Sequence, residues 1–265
     1  MSGPKKYRGP LSLVEVVALC IVLLATTITI MNARHHQQLK EHTQFSSAAL
    51  PELNALRQKY GPDRFSRNAE EWIIRDYFQD RRNGVFLDVG ANHYQRENNT
   101  YFLEKVLGWS GIAIDALPEF GPDYKLHRPG TRYVALFASD VGDSTVQFFV
   151  PKDNLLIASS NREFAAQEGT AATARDVPTT TLNLVLDQAG IKRIDFLSMD
   201  IELAEPKALA GFDIDRFQPA LVCIEGHPEV RQQILDYFVE HGYTVIGKYL
   251  RMDPYNLYFR PQSKS

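Results

Sequence analysis

Apolar residues along the chain fall into three regimes. From Val16 to Ala33 the sequence runs without a charge, and residues 11–33 match the roughly 20 apolar positions that cross a hydrocarbon core of about 30 Å. A secretory signal led by Lys5, Lys6 and Arg8 is the rival reading. Its apolar stretch is shorter, and no small-residue cleavage site follows here. Residues 34–66 open polar and then carry Leu50, Leu53, Leu56 and Tyr60 at helical spacing before Gly61-Pro62, as in a stalk with one short amphipathic helix. The expected organisation is a basic tail over 1–10, a transmembrane anchor over 11–33, a stalk over 34–66 and a folded domain over 67–265. Three basic residues precede the anchor, with Arg34 and Lys40 after it, which places the domain on the side away from the cytoplasm.

Within the domain, short continuous apolar runs alternate with helical patterns. VFLDVG, GIAID, RYVALFAS, IDFLSMD and PALVCIE read as buried strands. AEEWIIRDYF, TYFLEKVLG, PEFGPDYKLH, TLNLVLDQAG, EPKALAG and EVRQQILDYFVEHG read as the helices between them. This order predicts an α/β doubly wound, mostly parallel sheet. YTVIGKYL and NLYF, parted by turn-rich RMDPY, predict an antiparallel hairpin at one edge. Residues 151–176 show little periodicity and read as a lid or substrate loop.

Composition narrows the function. With 44% hydrophobic and 23% charged residues the bulk of the chain folds, and a net charge of −3 argues against phosphate-backbone binding. Two cysteines, Cys20 and Cys223, make no disulfide scaffold and no zinc spacing. Asp200 and Glu202 alone are a thin basis for a metal, so none is expected.

The chemistry gathers at strand ends. Asp88 closes the first strand, and Gly90, Ala91 and Asn92 form a tight turn that lets a ligand approach the sheet edge. Asp115 closes the second strand, where a carboxylate accepts both ribose hydroxyls. The phosphate-cradling G-x-G-x-x-G is absent, because Asn92 and Gln95 occupy its later glycine positions, so a nucleoside without pyrophosphate fits better than a dinucleotide. A nicotinamide dehydrogenase is weaker for the same reason. Asp200, Glu202 and His227 follow later strands toward the same edge, as candidate bases for an oxygen nucleophile; Glu225 lies beside His227 in sequence. Each has a plainer reading: helix capping for the acids, a loop histidine for His227. His93 either touches an acceptor or bonds backbone, and Asn99 is expected to cap the TYFLEKV helix.

FSRNAEEWII, FLDVGAN, NNTYFLEKVLGWSGIAID, VPTTTL, IDFLSMDIELAEPKAL and LVCIE, in this order from about Phe65 to Glu225, resemble the FkbM-type branch of class I S-adenosylmethionine-dependent methyltransferases. The resemblance implies a seven-stranded Rossmann-like sheet with a reversed terminal strand. It implies S-adenosyl-L-methionine held at Asp88, Gly90, Ala91, Asn92, Asp115 and Ala116, with Ser139 and Asp140 at the adenine edge. It implies methyl transfer to a small acceptor, often a sugar or polyketide hydroxyl, and hence a small-molecule partner and no nucleic acid. Three departures stand out: Tyr94 where the family has glycine, Ala116 where it has proline after an acid, and Leu203 where it has glycine. Tyr94 and Leu203 are expected to add side chains near the cofactor. They, with the outward orientation, motivate an alternative, a non-catalytic module binding a partner or glycan at the membrane.

Overall fold

The computed structural model describes residues 51–152, 155–166 and 171–263. The anchor expected over 11–33 lies outside them. Among the described residues no helix is long and apolar enough to cross a membrane. The compact unit runs over Leu50–Ser265, so it begins within the expected stalk. Helix α1 (residues 51–60) seats Leu56 in the core, with Leu53 and Tyr60 packed beside it.

The chain continues through α2 (Glu70–Phe78), β1 (Val85–Val89), α3 (Tyr101–Lys105), β2 (Ser110–Asp115), α4 (Gly121–His127), β3 (Thr131–Ala135) and β4 (Phe137–Ala138). Then come β5 (Thr145–Pro151), α5 (Arg162–Ala165), β6 (Ala172–Thr180), α6 (Leu182–Gln188), β7 (Phe196–Met199), α7 (Glu205–Ala210) and α8 (Ile214–Phe217). The last elements are β8 (Leu221–Glu225), α9 (Arg231–Glu240), β9 (Tyr243–Val245) and β10 (Asn256–Pro261). Seven strands form a Rossmann-like sheet ordered β3-β2-β1-β7-β8-β10-β9. Its first five strands are parallel, and β10 runs antiparallel to both β8 and β9.

Side chains along each inner strand alternate between two cores, as the two-residue period of a strand requires. Leu87, Leu197, Val222, Ile224 and Phe259 face one side, beneath α6 to α9. Phe86, Phe196, Leu221, Cys223 and Tyr258 face the other, where α2 brings Trp72, Ile73 and Ile74. Both faces are therefore covered, which is why these strands read as continuous apolar runs. Thr181 caps α6, its hydroxyl accepting from Leu184 N at 3.1 Å.

Two elements differ from expectation. RYVALFAS divides at Leu136, because Phe137 and Ala138 leave the main sheet to pair with Thr179 and Thr180. The stretch 151–176 is not all loop: β6 begins at Ala172 and pairs antiparallel with β5, making a second sheet ordered β4-β6-β5. A strand with few buried apolar positions carries little alternation to read.

The turn after β1 rests on a buried cation. Arg128, fully buried, pairs with Glu104 and donates to Tyr94 O at 2.8 Å, Thr131 Oγ1 at 3.1 Å, and Asn98 Oδ1 and Thr100 O at 3.2 Å. Thr100 in turn donates to Asp88 Oδ2 at 2.7 Å. Removing one partner of a buried pair strands the other's charge, so Arg128→Met is expected to cost about 3–5 kcal/mol in urea unfolding. Adding Glu104→Met should recover much of that loss. A single substitution costing under about 1 kcal/mol would contradict the role given to this pair.

Candidate active site

The ends of β1, β2 and β7 converge at one edge of the sheet. Gly90 has φ +83°, and a Cβ there would meet the carbonyl oxygen of Asp200 at 1.7 Å. Gly90 N and Ala91 N donate to Ile114 O at 2.9 and 3.1 Å, and Asp200 N donates to Val89 O at 2.9 Å. Only glycine permits this approach. Beside it opens a cleft lined by Gly90, Asn92, Asp115, Ala116, Asp200 and Glu202. Leu117, Phe137 and Phe148 supply apolar walls that no sequence motif marked.

Asp115 is oriented by backbone: Asn92 N donates to Oδ2 and Leu117 N to Oδ1, both at 2.9 Å. Each oxygen keeps a lone pair for a ligand. Burial pushes this carboxyl up to about 6, against the two amide donors that stabilise its charge. Asp88 does not line the cleft. It is buried beneath, bonded to Thr100, and burial raises its pKa. Ala91 is buried in a small cluster with Ala113 and Tyr124. Ser139 is buried and donates to the exposed Asp140 at 2.9 Å, which lowers the Asp140 pKa; Ala138, not these two, reaches the cleft.

A second, polar cavity of about 320 Å³ shares Gly90, Asn92, Asp200 and Glu202 with the cleft. It adds Arg67, Asn68, Asn99, Glu225, His227 and Asn256. Within it His227 Nε2 lies 3.0 Å from Glu202 Oε2 and 2.9 Å from Glu225 Oε2. Its one N–H bonds Glu202, and the buried Glu225 Oε2 has no hydrogen-bond partner among the described residues. Asp200 opens to the cavity yet is walled by protein. Burial, then the charge of neighbouring Glu225, hold its carboxyl well above the ordinary range. Burial also raises Glu202 and Glu225. The two glutamates push His227 up to about 10, so its imidazole is cationic at neutral pH.

These groups meet because of strand register. β7 and β8 are parallel with Ser198 opposite Cys223 and Met199 opposite Ile224. Continuing that offset sets Asp200 beside Glu225 and Glu202 beside His227. The matched spacings D-x-E and E-x-H after adjacent strands were the available signal. No metal was expected, yet ligand atoms of Glu202, Glu225 and His227 all lie within 4.8 Å of one another.

Other residues take different places. Tyr94 stacks between His93 and His127, at ring distances of 4.6 and 4.5 Å, and lines neither cavity. Leu203, at φ +77°, packs against the core below the sheet edge rather than into the cleft. His93 Nδ1 accepts from Gln95 N and Arg96 N, a turn-closing role. Asn99 does not cap α3; it donates to Ser198 Oγ at 3.1 Å and lines the polar cavity.

The sequence profile of the methyltransferase FkbM domain matches residues 88–245. Among curated proteins none matches the sequence. Solved structures with a similar chain path include a TehB-like SAM-dependent methyltransferase from Corynebacterium glutamicum, with TM-score 0.41 and 16% identity over 83% of this chain and 99% of that one. Another is the Burkholderia thailandensis 1,6-didemethyltoxoflavin-N1-methyltransferase with bound 1,6-didemethyltoxoflavin and S-adenosylhomocysteine, at TM-score 0.38 and 14% identity over 84% and 90%. A third is the fibrillarin pre-rRNA processing protein of Methanococcus jannaschii, at TM-score 0.41 and 10% identity over 74% and 77%.

Two titrations test the electrostatics. A histidine raised from 6.5 to about 10 contributes stability that is full below 6.5 and lost as pH rises through 10. The His227 ring signals in NMR should therefore stay unchanged through pH 8; a midpoint near 6.5 would contradict the carboxylate clamp. Asp115 has the same sign: with its pKa raised from 3.8 to about 6, the folded state holds the extra proton, and stability falls as pH rises between those values. Thermal melts of Asp115→Asn should lack that part of the decline, and curves parallel to wild type would refute it.

Proposed function

This chain belongs to the methyltransferase FkbM family, and we propose that it moves a methyl group from S-adenosyl-L-methionine to a hydroxyl oxygen of a small polyhydroxylated acceptor such as a carbohydrate. The observation that carries this reading is a pair of joined cavities of different character. One is an apolar-walled cleft with the amide-pinned Asp115 at a strand end; the other is polar, and Asp200 and Glu202 stand where they meet. The cofactor fits the first. Asp115 has lone pairs free for the ribose hydroxyls, Phe137 and Phe148 cover an aromatic base, and Gly90 leaves room where a Cβ would stand. When bound, the cofactor supplies an electrophilic sulfonium methyl.

The protein's work is then positioning and proton transfer. Asn68, Asn99, Asn256 and Arg67 offer hydrogen bonds to a hydroxylated acceptor. Glu202, whose pKa burial raises toward the range of a general base, takes the proton that the acceptor oxygen releases as its new bond to carbon forms. His227, already cationic, is not the base; its Nε2–H fixes the Glu202 carboxylate. In-line placement contributes the rest, since methyl transfer develops no oxyanion to stabilise. Tyr94 and Leu203, which motivated a non-catalytic module, lie away from both cavities. The uncharged stretch within residues 11–33 supports placing the enzyme at a membrane.

Calorimetric titration with S-adenosyl-L-methionine and its demethylated product is the direct test. Asp115→Ala should weaken both by about 10- to 150-fold, as loss of hydrogen bonds to a charged group does. Wild-type affinity in that variant, or no binding by folded wild type, would overturn the cofactor assignment. With an acceptor in hand, Glu202→Gln should lower kcat by about 10²–10⁴ while leaving cofactor affinity unchanged.

A further inference from the structure

The polar cavity holds a set of donors that proton transfer alone does not require. Glu202 Oε2, Glu225 Oε2 and His227 Nε2 converge from the ends of two adjacent parallel strands. The two oxygens lie 3.0 and 2.9 Å from the one nitrogen. For an octahedral cation with ligands at about 2.1 Å, neighbouring ligand atoms stand about 3.0 Å apart. Two of the three donor pairs thus already stand at the edge length of such a site, and all three ligand atoms lie within 4.8 Å of one another. A single N–H cannot satisfy both carboxylates, and Glu225 Oε2 is the one left buried without a hydrogen bond. A second orphan lies behind the cluster. Glu205 is wholly buried, Oε1 accepts from Ile201 N at 3.0 Å, and Oε2 has no partner among the described residues. Glu205 responds to the charges of both Asp200 and His227, so it belongs to the same electrostatic group. Two carboxylates thus touch the imidazole, and two further carboxyls, Asp200 and Glu205, feel its charge.

We propose that Glu202, Glu225 and His227 bind one divalent first-row cation at the floor of the acceptor cavity, with Asp200 beside it. Two carboxylates and one imidazole suit Mn²⁺, Fe²⁺ or Zn²⁺ better than Ca²⁺, which prefers oxygen alone. Three protein donors on one side of the ion leave its other positions open to the cavity. Resting on the methyltransferase reading, the cation serves there to hold the acceptor's oxygens against the cleft and to ease loss of the hydroxyl proton. With the ion bound, His227 exchanges its hydrogen bond to Glu202 for a ligand bond, its Nε2 proton displaced to solvent, while the second oxygen of Glu202 remains to take the acceptor's proton.

Mn²⁺ alone is the probe. Adding wild-type protein to Mn²⁺ should quench the free-ion EPR signal with a stoichiometry of one, and Zn²⁺ should compete. Glu225→Gln and His227→Gln should each weaken Mn²⁺ binding at least about tenfold, the lower end of what losing even an outer partner of a metal ligand costs. Retained binding of S-adenosyl-L-methionine by these variants controls for folding. Should one variant fail that control, the other carries the test. No quenching at millimolar Mn²⁺, or quenching unchanged in folded variants, overturns the metal site. Failure of wild type to bind S-adenosyl-L-methionine, with Mn²⁺ still bound one to one, would instead overturn the methyltransferase reading.

Discussion

Everything at the working edge of this sheet depends on how closely two backbones pass. Gly90 and the carbonyl of Asp200 stand so near that no side chain fits between them. That contact joins the turn after β1 to the loop after β7, and so joins the cleft holding Asp115 to the cavity holding Glu202. The approach has a conformational cost carried nearby. Asn92, Glu202 and Leu203 all adopt positive φ, and a branched-at-γ leucine in that region is strained where glycine would not be. Packing of Leu203 against the core offsets part of that strain.

The two charged networks in the domain show opposite strategies. Around Arg128 a single buried cation meets a carboxylate and a ring of oxygens, and each of its donors finds a partner. The result is a fixed turn under the cleft. Around His227 carboxyl groups outnumber the imidazole, and two buried carboxylate oxygens have no hydrogen-bond partner among the described residues. Buried polar atoms of that kind cost stability and persist where a ligand completes them. The first arrangement makes a scaffold; the second leaves acceptor atoms unsatisfied beside an open cavity.

How much of this was legible in the sequence follows from the physics of each element. Strands covered on both faces read as apolar runs, so β1, β2, β7 and β8 and the antiparallel β10 were visible. β6 was not, because ATARDVPTT buries few side chains before Val177 and its pairing with β5 is set by distant residues. α8 spans only Ile214–Phe217, too short for a period. The strand-end acids stood out as charges closing apolar runs, and the cleft gathers Asp115, Asp200 and Glu202 as that pattern suggests. The apolar wall of Phe137 and Phe148 did not stand out, since it comes from the second sheet. His227 looked like a neutral-pH base because a lone histidine has that pKa; only the register of β7 on β8 reveals the two carboxylates that hold its proton.

The strand order also governs how this domain comes off the ribosome. β9 is synthesised before β10 but pairs only with β10, which lies between it and β8. Until residues 256–261 emerge, the apolar edge of β8 has no neighbour and β9 has nothing to join. Tyr258 and Phe259, fully buried in opposite cores, arrive after every other described strand. The nascent chain therefore carries an open, sticky sheet edge from the emergence of β8 until β10 follows, and closes it by a long-range pairing.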